Sequence, residues 1–413
     1  MTSSDEQGVL AALRLLLHAS KHARADDLPG LTSEAAALIG ARTAVLYVVD
    51  YDQVQLVPLL DAEPVADPVT LQIRGPVPVE GTLGGRCFSE IAVQVTTGTG
   101  DGEVGCSVWV PVLDGTDRLG VLELVFDEPV DLESGLQEDV TLLAGLIAEL
   151  IMTRKALGDY IERTRRRLPM LLEAELQWNL LPPLTFAAPQ VSIAGVLMPT
   201  TEVAGDSFDY AVNGDVAHLA IVDAMGHGLE ATLMSAVAIG ALRNARRSGL
   251  DLMDTVRSMN KHVAAQFGES KFVTAIIGEL DTRKGVWTWV NAGHPAALVV
   301  RGGRVVKVLD SCINPPLGLQ QDRPAVGDER LERGDRLLLY TDGVIEARDE
   351  SGEFFGRQRL VDFISRESAS GRPAAETLRR LNIAILSHQD GLLQDDATTL
   401  MVEWSGEDAR RIG

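Results

Sequence analysis

The sequence predicts an α+β protein of two domains joined by a helical connector, with antiparallel sheets in both. Three observations carry that reading. Strand-length apolar blocks pair across Gly-containing turns. Stretches of helical period come in consecutive pairs instead of alternating singly with strands, which argues against a doubly wound parallel sheet. A chain of 413 residues also exceeds one ordinary core, and its 46% hydrophobic content supplies ample apolar surface for two.

The elements follow in order. Residues 8–23 carry apolar positions at helical spacing, and 31–40 continue as a second short helix that Gly40 stops. ARTAVLYVVD reads as a buried strand ending at Asp50, with QVQLVPLL as its hairpin partner. The Pro-, Gly- and Thr-rich stretch 61–103 reads as loops with short elements. CSVWVPVL and RLGVLELVF form two strands around the turn Asp114-Gly115-Thr116-Asp117. A long amphipathic helix then runs from about Leu132 to Arg154, with Val140, Leu143, Ile147, Leu150 and Ile151 on its apolar face.

Residues 154–184 read as a connector. Its basic run, Arg163, Arg165, Arg166 and Arg167, is expected to be a solvated helix face, and Pro169 breaks the helix beside it. Leu172, Leu176 and Leu180 then lie on one helical stripe that Pro182-Pro183 ends. A stripe this short is marginal alone, so it packs within the chain or on its copy in a homodimer. Beyond Pro189, QVSIAGVLMP and VAHLAIVD read as strands and 228–249 and 251–267 as two helices. FVTAIIGELD with GVWTWVNAG, and ALVVRGGRVVKVL around Gly302-Gly303, read as hairpins. DRLLLYTDG is a strand, two helices follow, and ATTLMVEW closes the chain as a strand.

Composition narrows the function classes. The formal net charge of −22 repels phosphate backbones and anionic lipid, so neither nucleic acid nor membrane is an expected partner. No apolar run is long enough to span a bilayer, and MTSSDEQGVL has neither the basic start nor the cleavage pattern of a signal peptide. Three cysteines without a CxxC pair fit a reducing, cytoplasmic setting without a thiolate zinc site.

The chemistry concentrates in acidic positions that recur in one local context. Asp206 lies in EVAGDSFDY, Asp223 ends HLAIVD, Asp342 ends RLLLYTD, and Asp395 with Asp396 precedes ATTLMVEW. Each stands at a strand end beside Gly or another small residue. One Asp-Gly at a strand end is ordinarily a turn. Four in one domain, converging, would repel unless cations lay between them, and hard oxygen ligands suit Mg²⁺ or Mn²⁺.

Two resemblances extend this reading. The order helix, paired strands, loop region, hairpin and exit helix, together with PVLDGTDRLGVLELVF, resembles a GAF sensory domain over 10–153. That implies an antiparallel sheet with flanking helices and a small-molecule ligand or a dimerisation role. EVAGDSFDY, VDAMGHG, FVTAIIGELD, NAGHP, PPLGL, RGDRLLLYTDGVIEA and DDATTL, preceded by EAELQWNLLPP, resemble in order the motifs of bacterial PPM-type phosphatases of the RsbU and SpoIIE kind. That resemblance implies a PPM phosphatase domain over 185–405, an α-β-β-α sandwich, with 154–184 as the connector before it.

By motif, the resemblance implies two Mn²⁺ or Mg²⁺ ions held by Asp206, Asp223, the Ala224 carbonyl, Asp342 and Asp395, with Asp396 as the alternative to Asp395. It implies hydrolysis of phosphoserine or phosphothreonine by a metal-activated water, on a regulatory protein of the STAS-type anti-sigma-factor antagonist class, under control of the GAF domain. The alternative is a catalytically silent partner-binding regulator of the same fold, which loss of one of these aspartates would signal, and all are present. A nucleotide phosphodiesterase would need a basic or aromatic cluster near them, and the sequence offers none. The eukaryotic relatives carry a phosphate-contacting Arg near the first acidic motif, whereas no Lys or Arg occurs here between Leu184 and Arg243. The family pattern is also altered at Ala204 and at Ala224-Met225-Gly226, with no ligand side chain lost.

The remaining candidates are weighed against plainer roles. His227 is either a proton donor to the leaving group or a loop-ordering residue, and His294 is expected to hydrogen-bond structurally. Asp209 is an outer ligand or a turn residue, and Glu202 and Glu346 orient water or are surface carboxylates. Trp287 and Trp289 are expected in the core. Cys87 and Cys106 are sensor ligands or, more commonly, small buried hydrophobes.

Overall fold

The structure is a computed structural model of the full chain. It describes residues 3–60, 75–99, 103–131, 135–167, 169–198, 205–268, 270–319, 323–389 and 395–406. The chain divides into two compact units, Met1–Pro169 and Met170–Gly413. Among the described residues no helix is long and apolar enough to cross a membrane.

The first unit contains helices α1 (Ser3–Ala19), α2 (Leu28–Leu38), α3 (Leu83–Glu90), α4 (Leu136–Lys155) and α5 (Tyr160–Arg165). Its strands are β1 (Thr43–Val49), β2 (Gln55–Pro58), β3 (Val77–Pro78), β4 (Gln94–Thr99), β5 (Glu103–Asp114) and β6 (Asp117–Phe126). They form one antiparallel sheet in the order β3-β2-β1-β6-β5-β4. One face, with Leu46, Val48, Val108, Leu122 and Leu124, packs on Leu16, Leu143 and Ile147 of α1 and α4. The other face, with Tyr47, Trp109 and Val121, is covered by Cys87 and Phe88 of α3.

Helix α3 falls in the stretch whose composition suggested loops. Two glycines lower its propensity, yet its backbone must come close to the sheet. A Cβ on Gly85 would stand 1.8 Å from the Val79 carbonyl oxygen, and one on Gly84 would stand 2.6 Å from the Trp109 ring. Both Cys87 and Cys106 are buried, and burial pushes the Cys87 thiol well above its ordinary pKa, which leaves it inert as a thiolate.

The basic run after α4 departs from its expected solvated face. The Arg165 guanidinium lies 4.5 Å from the Tyr51 ring centre, and its Nε donates to the Val49 carbonyl at 3.0 Å. Arg167 reaches Asp52 at 3.3 Å and Asp50 at 3.7 Å. Ile161 is buried in the core of the unit. Acidic groups at the end of β1 attract Arg167 and the Val49 carbonyl takes Arg165, whereas Arg163 stays exposed as expected.

The second unit begins with α6 (Leu172–Leu180) and has strands β7 (Thr185–Ala188), β8 (Val191–Met198), β9 (Asp206–Asn213) and β10 (Val216–Ala224). Helices α7 (Leu229–Arg247) and α8 (Leu252–Phe267) follow. Then come β11 (Val273–Asp281), β12 (Val286–Ala292), β13 (Ala297–Arg301), β14 (Arg304–Leu309), β15 (Ile313–Asn314), β16 (Gly327–Arg330) and β17 (Arg336–Tyr340). Helices α9 (Asp342–Glu346), α10 (Gly356–Ala369) and α11 (Ala374–His388) lead to β18 (Ala397–Trp404).

Two sheets form, β15-β12-β11-β10-β9 with β16 on β12, and β14-β13-β17-β18-β8-β7. The two-residue period of a strand sorts each one's side chains between two layers. Leu219 and Ile221 of β10 meet Leu337, Leu339, Leu400 and Val402 of the other sheet between the layers, with Trp287 and Trp289 in the same core. Ala220 and Val222 face Met234, Ile239 and Met259 of α7 and α8. Leu338, Tyr340 and Met401 face Leu360, Ile364 and Leu381 of α10 and α11. The unit is thus a helix-sheet-sheet-helix stack.

Helix α6 buries Ala174 and Gln177 against the second unit and leaves Leu172 and Leu176 exposed at 58% and 38%. Leu180, the third residue of the stripe, packs on the α7 and α8 core of the same unit.

Candidate metal centre

The acidic positions gather at one rim between the two sheets of the second unit. Asp206 opens β9 and stands directly opposite Asp223 near the end of β10. Asp223 shares parity with Leu219 and Ile221, and Asp206 with Phe208, so both side chains lie on the inter-sheet side. From the opposing sheet come Asp342, which heads α9 after β17, and Asp395 and Asp396, which enter β18. Gly343 is required at this meeting point, because a Cβ there would lie 1.9 Å from the Asp396 carbonyl oxygen.

The two adjacent aspartates face different ways. Asp396 shares parity with Leu400 and is buried; its Oδ2 accepts from Gln177 Nε2 at 2.8 Å and from the Gly205 amide at 2.9 Å. Asp395 is exposed, its Oδ1 accepts from the Asp396 amide at 2.9 Å, and its field is shared with Asp342, Glu346 and His227. Asp206 is buried and accepts from the Thr341 hydroxyl at 2.6 Å, while its backbone carbonyl accepts from Gln177 at 2.7 Å. Ala224 is buried at the end of β10, and its amide donates to the Gly205 carbonyl at 3.2 Å.

Electrostatics marks the rim as short of positive charge. Burial, then Asp342, Asp395 and Asp396, push the Asp223 carboxyl up to about 8, against the Thr274 hydroxyl that favours the ionised form. Asp206 is raised well above the carboxylate range by burial and by Asp223 and Asp396. Asp395 is raised by burial first, with Asp342 and Glu346 adding to it and His227 opposing. Among the described residues no three acidic, imidazole or thiol groups are already drawn around a single point. The set nevertheless fits hard divalent cations: oxygen donors from four chain segments converge, and burial together with the neighbouring carboxylates raises Asp206, Asp223 and Asp395.

Other candidates separate from the rim. Asp209 has the opposite parity in β9 and pairs with Arg243 and Arg246 of α7, each at 2.7 Å, so it is neither an outer ligand nor a turn residue. Arg243 also donates to the Leu180 carbonyl at 2.7 Å, which ties the end of α6 to α7. His227 is exposed beside Asp395 and Glu346 is exposed after Asp342. Glu202 and Ala204 lie outside the described residues.

The sequence reading missed Gln177, Thr341 and Thr274, which touch Asp396, Asp206 and Asp223. Thr341 had a signal in its place next to Asp342. Gln177 lay inside the quoted segment EAELQWNLLPP, but its contact could not be read there because its partner lies 219 positions away.

Comparison with known proteins finds similarity in the same part of the chain. Residues 213–405 match the family described as Stage II sporulation protein E (SpoIIE). The chain is 26% identical over 325 residues to Protein IcfG of Synechocystis sp., covering 71% of this chain and 50% of that protein. It is 26% identical over 214 residues to the phosphoserine phosphatase RsbU of Bacillus subtilis, covering 51% of this chain and 63% of that one. The chain thus spans half to just under two thirds of the length of these curated relatives. Among solved structures, the RsbU and RsbW domains of Rv1364c from Mycobacterium tuberculosis align over 53% of this chain and 62% of that one, with 25% identity and a TM-score of 0.47. Residues 213–405 of the C-terminal unit are thus similar to the SpoIIE family, and the unit is similar to RsbU.

Proposed function

We propose that the chain is a metal-dependent protein serine/threonine phosphatase acting on a regulatory phosphoprotein of the STAS-type anti-sigma-factor antagonist class. The observation that carries this is the gathering of Asp206, Asp223, Asp342 and Asp395 from separate strand ends at one rim, where burial first and then the neighbouring carboxylates raise Asp223 to about 8. Such a set gains free energy by taking up divalent cations. Similarity to proteins named as phosphoserine phosphatases supports the reaction class.

Asp206, Asp223, the Ala224 carbonyl, Asp342 and Asp395 would hold two Mn²⁺ or Mg²⁺ ions. When bound, such ions polarise phosphoryl oxygens and activate water for attack on phosphorus. The chain's own part is to fix the ligands. Thr341 orients Asp206, and Gln177 and the Gly205 amide hold Asp396 back from the opening. Without a described Lys or Arg among these rim contacts, phosphate charge is met by cations.

The first unit is proposed to be a GAF-type sensor that binds a small molecule and, with the connector, sets phosphatase activity in a cytoplasmic homodimer. Support comes from its helix-flanked six-stranded antiparallel sheet and from α6, which contacts the aspartate rim through Gln177. The deciding experiment incubates the full chain with a phosphorylated STAS-domain protein and Mn²⁺ and measures phosphate release. Release that requires Mn²⁺ and is lost in Asp223→Ala is expected. No release, or release indifferent to that substitution, sinks the proposal.

A further inference from the structure

We infer that Gln177 is a positioning residue for the metal centre: its side-chain amide staples the rim of one sheet to the rim of the other and makes the seating of helix α6 a condition for tight cation binding. The inference rests on the metal-centre reading above and deepens it by naming the contact through which the connector sets the site.

The proposed ligand set is split between two sheets. Asp206 and Asp223 stand on β9 and β10 of one, while Asp342 follows β17 and Asp395 comes just before β18 of the other. Cations held by both pairs require the two rims at a fixed separation. Gln177 Nε2 lies 2.7 Å from the Asp206 carbonyl oxygen and 2.8 Å from Asp396 Oδ2. Asp206 opens β9 and Asp396 immediately precedes β18, so one NH₂ group reaches both sheets.

The partners fix the direction of these hydrogen bonds. A backbone carbonyl oxygen only accepts, and Asp396 Oδ2 already accepts from the Gly205 amide at 2.9 Å, so both N–H groups of the Gln177 amide donate. Gln177 is 1% exposed, so water does not compete for either bond. Its Oε1 makes no hydrogen bond among the described residues, and the side chain is thus placed for its two donors. The Thr341 hydroxyl accepts from the Thr398 amide at 3.0 Å and donates to Asp206 Oδ2 at 2.6 Å, a second link between the same two sheets. Gln177 differs from Thr341 in being carried by α6 and by neither sheet. The end of that helix is anchored separately, by the Leu180 side chain on the α7 and α8 core and by Arg243 on the Leu180 carbonyl. Undocking of the helix ahead of Leu180 therefore withdraws the staple while the chain stays attached.

The test uses the full chain and Mn²⁺ alone, with affinity from titration calorimetry and folding checked by thermal melting. Gln177→Met, of nearly the same shape but without the donors, is expected to weaken Mn²⁺ binding about tenfold, within the usual range for an outer-shell partner. Ala174 is buried one turn earlier on the same helix, so Ala174→Trp should unseat α6 with Gln177 intact, seen as faster amide exchange over 172–180, and weaken binding equally. The double variant should be no worse than either, because both remove one link. Linkage is reciprocal, so saturating Mn²⁺ should slow amide exchange over 172–180 about tenfold in the wild-type chain. A glutamine that only stabilised its helix would lower the melting temperature and leave the affinity unchanged. Wild-type affinity in a folded Gln177→Met or in an unseated Ala174→Trp, an additive loss in the double variant, or wild-type exchange indifferent to Mn²⁺ would each overturn the inference. If either variant does not fold, the wild-type exchange measurement still decides. A wild-type chain that binds no Mn²⁺ would instead remove the metal-centre reading, and this inference with it.

Discussion

Asp223 is the residue on which the rim turns, and its protonation makes a pH prediction. An unfolded Asp loses its proton near 4. In the metal-free fold Asp223 keeps it to about 8, because burial and Asp342, Asp395 and Asp396 disfavour the charge. Folded protein therefore binds more protons than unfolded protein between those values, and this group makes metal-free stability fall as pH rises through that window. A cation needs the carboxylate, so binding expels the proton. Apparent Mn²⁺ affinity should rise by up to about tenfold per pH unit from 6 to 8 and level off above, for one coupled proton. Calorimetry in buffers of different ionisation enthalpy measures both the affinity and the proton released. Flat affinity from pH 6 to 8 without proton release would mean that Asp223 is already ionised.

Helix α5 shows how an element acquires a structure its sequence does not encode alone. Six residues are too few to be helical in isolation. What holds them is Ile161 in the core, the Tyr160 hydroxyl on the Leu60 carbonyl, the Tyr51 hydroxyl on Glu162, and Arg165 on Tyr51 and Val49. Arg165→Ala should therefore free the segment. Amide exchange over 160–165 is expected to approach that of unstructured peptide, while α4 stays protected; unchanged protection would show that Ile161 suffices. The same contrast separates what was legible in the chain from what was not. Strands such as β10, β11, β12 and β18 carry their burial in their own alternation and end where Gly and Asp say they should. Helices α3 and α9 are short, contain glycine and exist because a backbone must come close to Val79 or Asp396, a demand visible only after folding. The choice between Asp395 and Asp396 was open in the sequence because one residue of register decides it. Parity with Leu400 and the Gln177 contact turn Asp396 inward and leave Asp395 beside Asp342.

The proposed homodimer sets two opposing terms against each other at the scale of the whole molecule. Each chain carries a formal net charge of −22, so two copies repel at long range. Against this stand Leu172 and Leu176, exposed on α6 although the helix already has an intrachain face through Ala174 and Gln177. The helix thus has no need of these two leucines for its own packing, and a second copy of the chain is the proposed occupant. If apolar contact drives association and charge opposes it, dimerisation should tighten with salt, since exposed charges are screened over about 8 Å at physiological ionic strength. A dimer held by intermolecular ion pairs would loosen instead. Light scattering after size exclusion, at low and at 0.3 M-scale salt, distinguishes the two signs. Leu172→Glu with Leu176→Glu adds like charge at the proposed seam and should give monomer at every salt concentration. Phosphate release should fall with it if the dimer sets activity, because α6 is the element that contacts Asp206 and Asp396 through Gln177. A wild-type chain that is monomeric at all salt concentrations and releases phosphate at full rate would exclude the homodimer and confine regulation to events within one chain.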